Sequence, residues 1–167
     1  MGRRAVVLVV AAAAVLAACS GGRDTGVATS TSHRTLVVND EPTALCVAVA
    51  GTLAEKVNGL SNRPSLPPRE GMAFPFADPG ARSFNMKDTS FPLAIVWVSA
   101  DSRVLGSTTM AADSTDHFQS PGDITLAVEL SPQDWAPLAG TARTLVLGQE
   151  CNGTITAGRP GQPKTQF

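Results

Sequence analysis

The stretch Ile124-Thr125-Leu126-Ala127-Val128-Glu129-Leu130 places Ile124, Leu126, Val128 and Leu130 on one side of an extended chain and Thr125, Ala127 and Glu129 on the other. A period of two over seven residues reads as a strand with one apolar face. Directly after it, Ser131-Pro132-Gln133-Asp134 supplies an N-cap hydroxyl, a proline at the first helical position and a carboxylate in the first turn, so a short helix runs to about Leu138. Working outward, Leu93 to Val98 is apolar throughout, the pattern of a strand buried on both faces. The turn residues Asp101-Ser102 lead it into Val104-Leu105-Gly106 as a hairpin, and Thr144-Leu145-Val146-Leu147 reads as the last strand. Towards the amino end, Leu36-Val37-Val38 and Leu45-Cys46-Val47-Ala48-Val49 are strands by their β-branched content. Thr52 with Glu55 forms a capping box that opens a second short helix ending near Gly59-Leu60. Ser65 to Gly71 is a loop by composition, and beyond it Met72, Phe74 and Phe76 share one side of an extended run in which Pro75 points to a sheet edge. Twelve prolines and fifteen glycines punctuate the chain into short elements. The expected fold is therefore mainly β, a small β-sandwich or partly closed barrel with two short helices.

Length and charge narrow the class. At 167 residues, with low-complexity ends, the chain fits one domain. A net charge of −1 provides no positive field for DNA or RNA, which are excluded as partners. Arg3 and Arg4 precede an apolar run from Ala5 to Ala18, too short to span a bilayer comfortably and matching a secretory signal. The run closes on Leu16-Ala17-Ala18-Cys19-Ser20-Gly21, which resembles the bacterial lipobox. That resemblance implies a diacylglyceryl group on Cys19 and anchoring to the cell membrane, where two acyl chains hold firmly at about 0.8 kcal/mol per buried methylene. Plain secretion is the alternative. The expected organisation is a signal peptide (1–18), a lipidated flexible tether (19–34), one β-rich domain (35–151) and a disordered tail (152–167), with His33 solvated at the end of the tether. A random coil of the tether's length reaches roughly 20 Å, which keeps the domain near the membrane. With Cys19 lipidated, Cys46 and Cys151 remain as an even pair in an oxidising compartment and are expected to form a disulfide.

Four blocks in register carry a further resemblance: Gly59-Leu60-Ser61-Asn62-Arg63, Gly71-Met72-Ala73-Phe74-Pro75-Phe76, Ser83-Phe84-Asn85-Met86-Lys87-Asp88-Thr89 and Pro92-Leu93-Ala94-Ile95. Together with Ser120-Pro121-Gly122 and Leu126-Ala127-Val128-Glu129, they resemble the domain of unknown function 192 family over roughly Leu45 to Gly148. The resemblance implies a small, often exported β domain and implies no activity. Two positions depart from the family pattern. Asn85 stands where a tryptophan is usual and Ala94 where an aspartate is usual, so a ligand site built on those groups would be altered.

No Gly-x-Ser-x-Gly elbow, His-Glu-x-x-His or phosphate loop occurs, which argues against the common hydrolases and nucleotide enzymes. If Ser83 to Lys87 is extended, Phe84 and Met86 pack inward while Asn85 and Lys87 share the opposite face, an amide beside an ammonium suited to an anion or carbonyl. Arg63, Lys87, Asp88 and Glu129 could form a charged cleft, or Arg63 and Glu129 a structural pair beside solvated Lys87 and Asp88. The candidate binding residues are thus Arg63, Asn85, Lys87, Asp88 and Glu129. Asp113, Asp116, His117 and Asp123 are metal-ligand types, but such a run is more often a solvated loop; no metal and no cofactor is assigned. Trp97 and Trp135 read as core or docking residues, and the absence of tyrosine makes a carbohydrate face poor in aromatics. The first expectation is a non-enzymatic, membrane-tethered envelope domain that binds a small ligand or an envelope protein. An envelope hydrolase with an unfamiliar carboxylate site is the rival, and an accessory scaffold without a pocket is a third reading. An enzyme should bring at least two of Asp88, Asp113, Asp116, Glu129 and His117 within about hydrogen-bond reach in a pocket.

Overall fold

The computed structural model describes residues 31–158; the expected signal peptide, Cys19, the expected tether up to residue 30 and residues 159–167 lie outside the described residues. The elements run β1 (His33–Val38), β2 (Glu41–Val49), α1 (Leu53–Asn58), β3 (Glu70–Gly80), β4 (Ser83–Asn85), β5 (Leu93–Val98), β6 (Val104–Met110), β7 (His117–Gln119), β8 (Ile124–Leu130), α2 (Pro132–Ala139) and β9 (Leu145–Glu150). A seven-stranded sheet takes the order β6-β5-β8-β3-β2-β1-β9, and β4 and β7 form a separate two-stranded ribbon. Every neighbouring pair of the large sheet is antiparallel except β2 and β3, which run parallel because α1 carries the chain between them. The mainly β expectation with two short helices holds. Its layout is an open sheet whose outer strands meet at one corner: Arg103 and Thr144 form an isolated bridge, with Val104 N–H donating to Arg143 O at 2.9 Å and Leu145 N–H to Ser102 O at 2.9 Å.

Both faces of the sheet are covered, which explains why β5 is buried at every position. Alternate residues divide between two cores. One collects Val47, Val96, Leu126, Val128 and Leu130 beneath Trp135 of α2. The other collects Met72, Phe74, Leu93, Ile95, Trp97 and Ala127 beneath Leu60, Met86 and Ile155. Removing a side chain the size of Trp97 or Phe74 from water contributes roughly 1.5–3 kcal/mol, so each core is a substantial share of the stability. The alternation of β8 separates Leu126, Val128 and Leu130 from Ala127 as the sequence indicates. Ile124 joins Ala127 instead, where the β3–β8 register shifts between Pro75 and Gly80. Pro75 sits in a central strand, yet the β2 pairing of β3 ends at Ala73, so the proline occupies a locally unpaired margin. Gly71 is required by a close approach: a Cβ there would run into the backbone oxygen of Glu129 and the side chain of Leu130.

The helix starts follow their caps. Thr52 Oγ1 accepts from Glu55 N–H at 3.2 Å while the Glu55 carboxylate accepts from Thr52 N–H at 2.8 Å. Ser131 Oγ accepts from Asp134 N–H at 3.1 Å at the start of α2.

The two ends of the domain depart from expectation. His33 is no solvated tether residue: it begins β1 opposite Ala48, and its Nε2 lies 2.7 Å from Ile155 O. Cys46 and Cys151 are joined as expected, with Cα atoms 6.0 Å apart across a sequence separation of 105. Past this bond the chain to Gly158 is not loose, correcting the expected disorder for that part of the tail. Glu70 receives the N–H groups of Thr154 and Ile155 and the Thr154 hydroxyl on its carboxylate, Ile155 is fully buried, and Gly158 N–H donates to Gly59 O at 2.8 Å. Ile155 and Ala157 pack against the second core, while Glu70, His33 and Arg63 bond the backbone of the segment.

Candidate ligand cavity

The second core does not fill all the space beneath its cover. A cavity of about 570 Å³ opens between α1 with its following turn on one side and β4 with its following turn on the other, floored by β3 and β8. Backbone bonds fix the two walls against each other. Asn62 N–H donates to Asp88 O at 2.7 Å, and the second turn is closed by Thr89 N–H on Met86 O at 3.0 Å and anchored by Asp113 N–H on Thr89 O at 2.8 Å. Asn62 and Asp88 both hold left-handed backbone angles, φ 57° each, which their short polar side chains tolerate.

The floor is aromatic. Phe84 meets Phe74 edge-on at 5.1 Å between ring centroids and Trp97 at 5.6 Å, so the ring that lines the cavity is braced from two sides. Set into this floor is Glu129, between Met72 on β3 and Ile95 on β5. It is 4% exposed, and no hydrogen bond from a described residue reaches its carboxyl group. Burial pushes its pKa up to about 8, so at neutral pH the group is largely protonated and can donate as well as accept.

The rim is cationic. Lys56 Nζ stands 5.3 Å from the centroid of the Phe76 ring and the Arg82 guanidinium carbon 4.5 Å from it. Arg82 also donates to Asp78 O at 2.9 Å, while its Nε is buried without a partner. Lys87 is exposed on the opposite lip. Among the described residues the ion pairs are Arg34 with Glu150 and Arg103 with Asp101, so none of the three rim cations is matched by a carboxylate. A second hollow of about 470 Å³, lined by Asp113, Ser114, Thr115 and His117, adjoins the first and shares Asn85, Lys87 and Asp88 with it.

Four of the five candidate residues, Asn85, Lys87, Asp88 and Glu129, line the same cavity. Their local geometry differs from the extended block expected: β4 stops at Asn85, whose Oδ1 accepts from Lys87 N–H at 3.0 Å in a turn that carries Lys87 outward and Met86 into the core. Arg63 is not among them and does not pair with Glu129. Its Nη1 donates to Thr156 O at 2.5 Å in the docked tail, and desolvation lowers its pKa while Glu70 opposes that shift. Lys56, Arg82 and the phenylalanine floor were not among the sequence candidates. Arg82 immediately precedes the Ser83–Thr89 block, but only the fold brings it over Phe76, six residues earlier in the chain. Of the two family departures, Asn85 lies at the cavity, whereas Ala94 packs in the core on the other face and leaves the cavity untouched.

Residues 34–142 match the sequence profile of the domain of unknown function 192, described as an uncharacterized ACR. The chain belongs to this family. Solved structures similar to this family member include a protein from Sinorhizobium meliloti 1021 described as a candidate transcription regulator, with 20% identity, a TM-score of 0.62, and coverage of 71% of this chain and 94% of that one. Another is a protein of unknown function from Novosphingobium aromaticivorans DSM 12444, with 22% identity, a TM-score of 0.60, and coverage of 77% and 100%. At these identities the likeness establishes the fold alone. No curated protein matches the chain.

Asp88 and Glu129 share the cavity without a hydrogen bond between them, and Asp116 instead accepts from Ser114 Oγ at 3.1 Å. No three His, Cys, Asp or Glu residues among the described residues gather closely enough to hold a metal ion.

Proposed function

We propose that this protein is a non-enzymatic binding module of the cell envelope, tethered to the membrane through Cys19, which takes a small organic ligand in the cavity between α1 and the β4–β7 ribbon. The observation that carries the reading is Glu129. A buried carboxyl group that receives no hydrogen bond from a described residue is costly to folding, and its position in the floor of a cavity of about 570 Å³ gives that cost a use as a ligand contact. Cavities of roughly 300–1,000 Å³ with an apolar lining and a few converging polar groups are the usual form of small-molecule sites. Location outside the cytoplasm is supported by the Cys46–Cys151 disulfide, and the tether by Leu16-Ala17-Ala18-Cys19.

Fluorescence titration with phenylnaphthylamine, an uncharged aromatic probe, tests the cavity. Binding is expected in the wild type and is lost in Ser83→Trp, which fills the cavity from the exposed ribbon strand without entering the core. Equal binding by that variant, or none by the wild type, overturns the reading. The tether is tested separately: the mature protein is expected to partition into detergent with a mass gain on Cys19. A Cys19→Ala protein that still pellets with membranes would contradict a lipid anchor.

A further inference from the structure

Among the described residues, none of the three rim cations forms an ion pair. Lys56 and Arg82 bring two like charges over one face-bearing ring, Phe76, and Lys87 adds a third positive charge across the opening. Asp88 is the one carboxylate on the lips, and Glu129 lies on the floor. Gathering cations around an opening, one of them with a buried and unpartnered Nε, raises the electrostatic energy unless an anion completes the set. The floor beneath is built from phenylalanine edges and one carboxyl group, so it suits an apolar body that carries a hydrogen-bonding oxygen.

We propose that the ligand is a small organic anion with an apolar, ring-sized body: its anionic group lies between Lys56, Arg82 and Lys87, its body rests on Phe74 and Phe84, and a neutral oxygen or hydroxyl reaches Glu129. This rests on the reading of the cavity as a ligand site. The orientation follows from charge alone. The cations stand at the rim and none lies on the floor, so an anionic group meets charge-assisted hydrogen bonds only at the rim. Carboxylate, sulfonate and phosphate heads share this chemistry, and the guanidinium fork of Arg82 favours those with two coplanar oxygens.

The experiment uses a matched pair of probes on the full chain, anilinonaphthalenesulfonate and phenylnaphthylamine, which share an aromatic body and differ in the sulfonate. Roughly tenfold tighter binding of the sulfonate is expected at low salt, with the advantage shrinking as salt is raised. Lys87→Gln and Lys56→Gln should each reduce sulfonate binding at least about threefold and weaken the uncharged probe by a clearly smaller factor. Arg69→Gln, which lies outside the cavity, should change neither probe. If both probes bind wild type alike, or if Arg69→Gln weakens the sulfonate as much as Lys87→Gln does, the anion assignment is overturned and the cavity reading stands. If Ser83→Trp fails to abolish binding of either probe, the cavity reading falls with it.

Discussion

Glu129 occupies a strand position flanked by Met72 and Ile95, where a β-branched side chain would pack without cost. Its protonation couples to folding in a definite direction. Burial holds the folded carboxyl near a pKa of about 8, whereas the unfolded chain titrates in the ordinary carboxylate range. Between those limits the folded state binds more protons than the unfolded state, so stability is greatest below the unfolded value and falls as pH rises towards the folded one, by at most about 1.4 kcal/mol per pH unit. Glu129→Gln keeps the shape and removes the titration. Denaturant unfolding of both proteins at about pH 5 and about pH 8 should show the variant gaining stability relative to wild type at the higher pH. Parallel profiles would mean that Glu129 is already ionised in the fold. The sequence marks Glu129 as a charged residue inside an apolar run, which is why it stands out as a candidate. Its burial is not legible there, because alternation places it on the polar face and only the cover supplied by distant segments turns that face into a second core.

Each wall of the cavity depends on a short element whose stability is local. In α1 no residue is buried, so the capping box does more of the holding than packing does. Thr52→Ala should cost about 1 kcal/mol, and it should speed hydrogen exchange of α1 amides while those of β8 stay protected. Uniform loss of protection would show α1 to be part of the global unfolding unit. Gly71→Ala should be far more damaging, on the order of 3 kcal/mol, because the added Cβ meets backbone that cannot turn aside; a thermal melt close to wild type would contradict the geometry. Elements with chemical punctuation are the ones the sequence discloses: both helices start at their caps, and β5 and β8 follow their apolar patterns. The β4–β7 ribbon is not legible as a pair. Each strand spans three residues and the pairing of Asn85 with His117 is set by chain closure across the intervening β5–β6 hairpin. Of the cationic rim the sequence discloses Lys87 alone, since Lys56 and Arg82 come to the same ring only after α1 and β4 are laid against β3.

Across the whole molecule, the Cys46–Cys151 bond ties β2 to the segment after β9 over 105 residues. For a loop of this size the denatured chain loses entropy worth up to about 4.7 kcal/mol, so the double Cys46→Ala, Cys151→Ala variant should melt well below wild type. A melting temperature within a degree or two of wild type would show the bond to be dispensable. The same strand order has a consequence for timing. The first strand, β1, lies between β2 and the last strand, β9. A chain delivered amino end first, from a ribosome or through a pore, can pair β1 with β2 at once. The other margin of β1 then waits, backbone groups unpaired, until Leu145–Glu150 arrives, and the sulfur of Cys46 waits for one residue more. Completion of the sheet is therefore deferred until Leu145–Glu150 has been made, so its last edge closes on its first strand.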